Sequence, residues 1–595
     1  MTRAESISLS VIFRTNKYMV VYLLSVMFAL LSINPVAAQK ILDPRIYSGV
    51  WDRSGAFDKS DYPFFVGKAV STCWATVEPE NGKFDFSEIN RKAADALRDD
   101  QYFYMQVSAG PSSPPWIYNA GVPKVRTVGS SHLEKKNKWF GYPFYLDPDY
   151  EKYYFRMLER FAENYYSMPV EQQNRLAFIQ VAVGCTGDEC AYKGKAVEAK
   201  YTLPKDSEKW QNFRIKVFKK YIELFQHSQG RKVPLLFNAV SPKHPKAHVY
   251  VLKNVKFGFG IKGSVLPRGY HLTKQREFIE YYRPHAIDPE VHWFSRAEMD
   301  QTWNQPYFRL NIPMNFYWSI LHAIHGGLNV YDVTKSAIIK NPKLKETIPC
   351  FYLFNRYAGD IYPEKAKSAL ISLHLGLDAS DTKRFPEDKF GKANPKNTDR
   401  MVAICKAYEK YGARMDDPEG AALGQVAQRK RQKGFNDAGW AIYPGNYERF
   451  ITQIEPEKTS VGLFRIGGPL TSNSHKYSRF ARAFEHESGK DRIYLDVNDK
   501  FSKNKGENGK RDQLSITVIY YDKGKGKFSI IYDALEQPEK TAAVIEKMDS
   551  KTWKEKTITI SDWYFNNRGE KGADLILDSY DNEDDIFHLV EIRRM

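Results

Sequence analysis

Cysteine is scarce, five in 595 residues, which excludes a fold stapled by disulfides. Long apolar runs are scarcer. The one that stands out, Tyr18 to Ile33 (YMVVYLLSVMFALLSI), falls short of the roughly 20 residues that cross a bilayer, so a polytopic membrane protein is excluded. No Gly-rich GxGxxG or GxxxxGK[ST] turn follows a strand-like run, and nucleotide-binding versions of an α/β fold lose support. There is no HExxH, and His322 and His325 in SILHAIHGG have no third ligand nearby. No metal and no cofactor is expected. Acidic residues fall short of basic ones, 71 against 88, for a formal charge of +17. Such a surplus favours an anionic partner: nucleic acid, acidic membrane or acidic polysaccharide.

The N-terminus chooses among these. Arg14 and Lys17 precede the apolar run and Val36-Ala37-Ala38 follows it, the layout of a secretory signal peptide over residues 1–38 with cleavage after Ala38. The mature chain is then expected to be exported, periplasmic or secreted, with no membrane span after cleavage. Export makes nucleic acid a poor partner and an acidic glycan a better one. Aromatic residues, 14% of the chain, supply flat surfaces on which sugars stack.

Two blocks follow, with boundaries at 39–423, a basic linker at 424–433, and 434–595. In the first, eight short apolar runs alternate with helical patterns: Ile46–Trp51, Phe64–Trp74, Tyr102–Val107, Ala177–Val183, Val233–Phe237, Val255–Ile261, Val291–Phe294 and Leu328–Tyr331. Helix-like stretches include Ile89–Leu97, Tyr150–Tyr166, Trp210–His227, Lys274–Tyr282 and Met314–His325. Eight βα units predict a (β/α)₈ barrel, with a doubly wound open sheet as the alternative. The second block alternates with period two, as in LSITVIYY and KTITISDW, and predicts an antiparallel β-sandwich. Its acidic turns, Asp496–Asp499 and Asp581–Asp585, read as solvated turns rather than Ca²⁺ sites.

Barrel active sites lie at the C-terminal ends of the strands. Two carboxylates stand there: Glu189, after Asp188 in FIQVAVGCTGDEC, and Glu298, after Arg296 in VHWFSRAEMD. A carboxyl pair across one sugar is what glycoside hydrolysis needs, one to protonate the leaving oxygen and one to attack or to activate water. Arg53, Asn238, Lys262, Arg296 and Asp332 also follow strands and are expected to line the sugar site. Trp51, Trp74, Trp116, Trp293 and Trp318 are candidate stacking platforms, some of them barrel core, and His322 is expected to face the site. Cys185 and Cys190 bracket the TGDE turn, which leaves a disulfide open.

Trp74–Phe86, WATVEPENGKFDF, then YFYMQVSAG leading into PSSPPWIYNAGVP, resembles clan A glycoside hydrolases, especially the family 42 β-galactosidase-like barrels. The resemblance covers roughly Ile41 to Asp332. It implies a retaining β-glycosidase with the general acid/base after strand four, Glu189, and the nucleophile after strand seven, Glu298. Where that group has Asn before the acid/base, this chain has Asp188, a candidate to bind a sugar hydroxyl. Retention would place the two carboxyl groups about 5–5.5 Å apart, inversion more than ~6.5 Å. The expected substrate is a galactose-containing poly- or oligosaccharide, the basic charge pointing to an anionic, sulfated galactan of the agar or carrageenan class; a glycan-binding protein on a degenerate barrel is the alternative.

Overall fold

The computed structural model describes residues 42–129, 141–185, 190–227, 231–238, 245–262, 293–415, 418, 437–440, 442–503 and 511–595. The expected signal peptide, the Lys274–Tyr282 helix, the 424–433 linker, Asp188 and Glu189 lie outside these residues.

Eight parallel strands close into a barrel: Gly49–Asp52 (β1), Phe65–Cys73 (β2), Tyr102–Ser108 (β3), Leu176–Gln180 (β4), Leu235–Asn238 (β5), Phe259–Lys262 (β6), Trp293–Met299 (β7) and Val330–Val333 (β8). Each pairs with the next, and β8 closes on β1 through Gly49↔Val330 to Asp52↔Val333. Every strand predicted from the apolar runs is present, with ends shifted by a few residues. The open-sheet alternative is therefore excluded.

The interior is aromatic. Trp51, Tyr104, Phe178 and Phe294 fill it with Tyr47 and small or aliphatic neighbours, Trp51 stacking on Tyr104 at 5.9 Å between centroids. Two glycines make room for these rings. A Cβ on Gly67 would lie 2.6 Å from Trp51, and one on Gly260 would lie 2.2 Å from Phe294. Gly258 and Gly260, in GFGIKG, do have the spacing of a nucleotide-binding turn. Gly260 lies within β6, however, where the missing side chain serves packing rather than phosphate binding.

Helices pack outside: Ser87–Arg98 (α1), Pro148–Ser167 (α2), Glu208–Gln226 (α3), Pro245–Asn254 (α4), Ile312–His325 (α5) and Leu344–Ala358 (α6). α2 starts where Asp147 accepts from the amides of Asp149 and Tyr150, with Pro148 in its first turn, a capped start with φ already set. α5 is different. Nearly every residue of IPMNFYWSILHAIH is buried, because one side meets the barrel and the other the C-terminal sheets.

Among the described residues, the two larger C-terminal sheets are antiparallel. One holds Tyr447–Arg449, Ser368–Ser372, Ile586–Arg594, Phe480–Ala483 and Val461–Phe464 in that order, with Leu514–Tyr521 and Trp553–Ile560 joined through Ile586–Arg594. The other orders Ile451–Gln453, Arg492–Val497, Leu575–Ser579, Lys527–Tyr532 and Lys540–Glu546. Both contribute to one buried cluster, including Ile371, Val518 and Val590 from the first and Leu495, Ile530 and Leu577 from the second. The expected boundary at 423 does not match this sheet: Ser368–Ser372 lies before it yet pairs along its length with Ile586–Arg594. In the acidic turn, Lys547 Nζ stands 2.6 Å from Glu583 and 2.5 Å from Asp585, so an ammonium answers that charge. Among the described residues no helix is long and apolar enough to cross a membrane.

Candidate active site

Period two along β7 builds the site. Phe294, Arg296 and Glu298 share one face of WFSRAEM, the barrel interior, while Ala297 and Met299 pack with the outer core. Moving toward the C-terminal end, the interior changes from ring to guanidinium to carboxylate. Register sets the neighbours: Arg296 lies beside Lys262, Lys262 beside Asn238, and Glu298 beside Asp332.

Glu298 is 8% exposed and held by three cations. Lys262 Nζ lies 2.7 Å and Arg296 Nη2 3.2 Å from Oε1, and Arg53 Nη1 lies 3.0 Å from Oε2. Burial pushes the Glu298 carboxyl up, but the combined field of Lys262, Arg296 and Arg53 outweighs it and brings the pKa down to about 2. The carboxylate is therefore ionised throughout the physiological range.

Arg296, fully buried, organises the floor beneath. Its guanidinium donates to Gln180 Oε1 at 2.6 Å, to the Tyr104 hydroxyl at 2.8 Å and to the Asp332 carboxylate, and it lies over the Tyr104 ring at 4.6 Å. The acids around it keep it protonated. Asp332 is itself fully buried. Burial raises its pKa to about 6 against the pull of Arg296 and Arg53, and Glu298 adds to the rise. Between an unfolded value near 4 and about 6, the folded state holds a proton that the unfolded chain releases. Stability from this group therefore falls as pH rises across that window. Asp332→Asn should flatten that part of the stability-against-pH profile, measured by thermal melts from pH 4 to 7.

The structure brings together Arg53, Lys262, Arg296, Glu298 and Asp332. Asn238 ends β5 next to Lys262, and its carbonyl accepts from Arg214 at 3.3 Å. Sequence reasoning missed Tyr104 and Gln180. Each carried a signal: a polar group in an otherwise buried parallel strand needs a partner inside.

Five expected contributors serve other ends. Trp318 is completely buried and packs on His374, Tyr447, Phe480 and His588, where α5 meets the C-terminal sheet. His322 is 2% exposed against Tyr447, and burial depresses its pKa well below the usual value. Both are corrected from substrate-binding to packing residues, as a helix buried between two layers dictates. Trp51 is barrel core. Trp74 is 0% exposed and donates from Nε1 to Glu78 Oε2 at 2.8 Å, so it offers no face to a sugar. Trp116 is half-buried; its Nε1 donates to the Glu78 carbonyl at 3.0 Å, and its ring carries the Arg156 guanidinium at 5.6 Å.

Glu78, buried, thus ties WATVEPENG together. It accepts from Trp74, from the Gly82 amide at 2.9 Å and from Arg156. This most specific stretch of the resemblance does structural work beside the mouth. Glu78→Ala should cost about 2–3 kcal/mol, since it leaves the Trp74 donor and the Arg156 charge unmatched; a lowered denaturant midpoint would show it.

The fold and site define a (β/α)₈ barrel with an ion-clamped carboxylate at its C-terminal mouth. No protein-family model matches the chain, and no curated protein matches it. Remote similarity reaches a number of solved structures, these three among them. One is a β-galactosidase from the psychrophilic Marinomonas ef1, at 13% identity and TM-score 0.34 over 53% of this chain and 60% of that one. Another is a glycoside hydrolase family 5 protein from Bifidobacterium longum subsp. longum, solved with Manβ1-4GlcNAc, at 12% identity and TM-score 0.32 over 65% and 90%. The third is xylanase 10B from Thermotoga maritima, at 11% identity and TM-score 0.31 over 53% and 96%. At such distances the likeness assigns no family, and the functional reading rests on the mouth of the barrel.

Proposed function

We propose that the protein is an exported retaining β-glycosidase, β-galactosidase-like, that cleaves an anionic galactose-containing glycan by double displacement. The observation that carries this reading is Glu298, set at the C-terminal end of β7 and kept ionised by Lys262, Arg296 and Arg53. A nucleophile toward the anomeric carbon must carry its charge when the sugar arrives. Glu189 is the proposed acid/base. It protonates the leaving oxygen, then takes a proton from the water that releases the sugar. Its segment leaves β4, whose last residue, Gln180, meets β7 through one Arg296 guanidinium. That bridge supports placing the ends of strands four and seven across a single sugar. Three cations against two carboxylates leave one net positive charge among these groups, which suits a sulfated or carboxylated ligand.

One observation favours a second reading. Both Glu298 oxygens are already occupied by cations, and an attacking carboxylate works better with one oxygen clear. In a non-catalytic glycan-binding barrel the clamp would simply stay shut. Reducing-end release from a galactan panel, with the first-formed anomer followed by NMR, decides between the two. Retained configuration supports the hydrolase. Binding without release supports the second reading.

A further inference from the structure

We propose a second binding cleft, sharing no lining residue with the Glu298 cluster, for an anionic group carried on a glycan. It is formed by the loops that leave β7 and β8. The glycan context rests on the function proposed above; the cleft and its charge do not.

Its construction starts two residues past Glu298. The Asp300 carboxylate accepts from the Thr302 amide at 2.8 Å and hydroxyl at 2.7 Å, which fixes the turn Gln301–Asn304. The two loops are then tied at Ser336 Oγ, which accepts from Trp303 Nε1 at 3.0 Å and from Gln301 Nε2 at 3.3 Å. Around this tie lies a cleft of about 340 Å³ whose lining includes Gln301, Asn304, Arg309 and Lys340 and no carboxylate. Arg309 and Lys340 are exposed, and among the described residues neither has an acidic partner.

That separates this cleft from another basic one, around Tyr494 on the C-terminal sheets. There Lys458 and Lys571 are matched by Glu455, Lys490 by Glu485, and Arg492 by Asp578 and Glu570. Charge already paired within the protein attracts little from outside. Two unpaired cations over a fixed floor, with the Gln301 and Asn304 amides beside them, match a sulfate or carboxylate together with sugar hydroxyls. The Arg fork can take two oxygens of such a group.

The test is calorimetric titration of the full-length protein with carrageenan oligosaccharides (sulfate), oligogalacturonate (carboxylate) and neutral agarose oligosaccharides, at two salt concentrations. The double variant Arg309→Ala/Lys340→Ala is compared with Lys554→Ala/Lys556→Ala, which removes the same charge from the C-terminal sheet. The expected result is at least tenfold weaker binding of one charged series by the first variant, a shallower salt dependence, and affinity close to wild type for the second. Whichever series responds identifies the anionic group. Wild-type affinity retained by Arg309→Ala/Lys340→Ala, equal losses in both variants, or no binding of either charged series by the wild type would each overturn the proposal. Hydrolysis is scored separately as reducing ends from the wild type, so failure of the glycosidase reading and failure of the cleft are told apart.

Discussion

Glu298→Gln should lower turnover on a hydrolysed galactan by about a thousandfold or more, with substrate binding largely retained. Glutamine keeps the shape and loses the charge that attacks the anomeric carbon. The same change has a stability signature. The folded carboxyl sits at about 2, against an unfolded value near 4.3, so its ion pairs contribute on the order of 3 kcal/mol above the unfolded value. That contribution fades as pH falls toward 2. The variant should therefore be less stable than wild type at pH 7 and nearly equal to it in strong acid. Because Glu298 stays ionised far below neutrality, it should not set the acid limb of any activity profile measured above pH 4. Full turnover by Glu298→Gln would remove this residue from the mechanism.

Arg296→Met should be the most destabilising single change at the mouth. The guanidinium is buried, and four groups depend on it: Gln180, Tyr104, Glu298 and Asp332. Methionine of similar length leaves the two carboxylates without that partner in a buried site, a loss of about 3–5 kcal/mol. Two titrations should move with it. Asp332, already raised to about 6, should rise further, and Glu298 should climb from about 2 as one of its three cations goes. Arg296→Lys should restore part of the charge balance without the fork that spans Gln180, Tyr104 and Asp332, and so recover only part of the stability. Equal denaturant midpoints for wild type and Arg296→Met would show that the floor does not depend on this residue.

The barrel was legible in the sequence because its strands are short, apolar and spaced by helical patterns, and because β7 alternates Phe294, Arg296 and Glu298 on one face. The charged cluster followed from the same rule, that strand ends face the mouth. What misled was local appearance without its layer. Trp318 and His322 look like sugar-facing residues in isolation. They sit in a mostly apolar helix, and such a helix is covered on all sides, here by the barrel and by a sheet built from residues much later in the chain. Ser368–Ser372 was missed because its partner strand, Ile586–Arg594, lies more than two hundred residues on, and no local pattern announces that pairing. Tyr104 and Gln180 show their role only when the buried guanidinium that needs them is placed.

Covalent trapping tests the central claim most directly. Wild-type protein incubated with a 2-fluoro galactoside carrying a reactive leaving group should gain the mass of one sugar, and peptide mapping should place that sugar on Glu298. A sugar on any other carboxylate, or hydrolysis that inverts the anomeric centre with no adduct formed, would contradict the account.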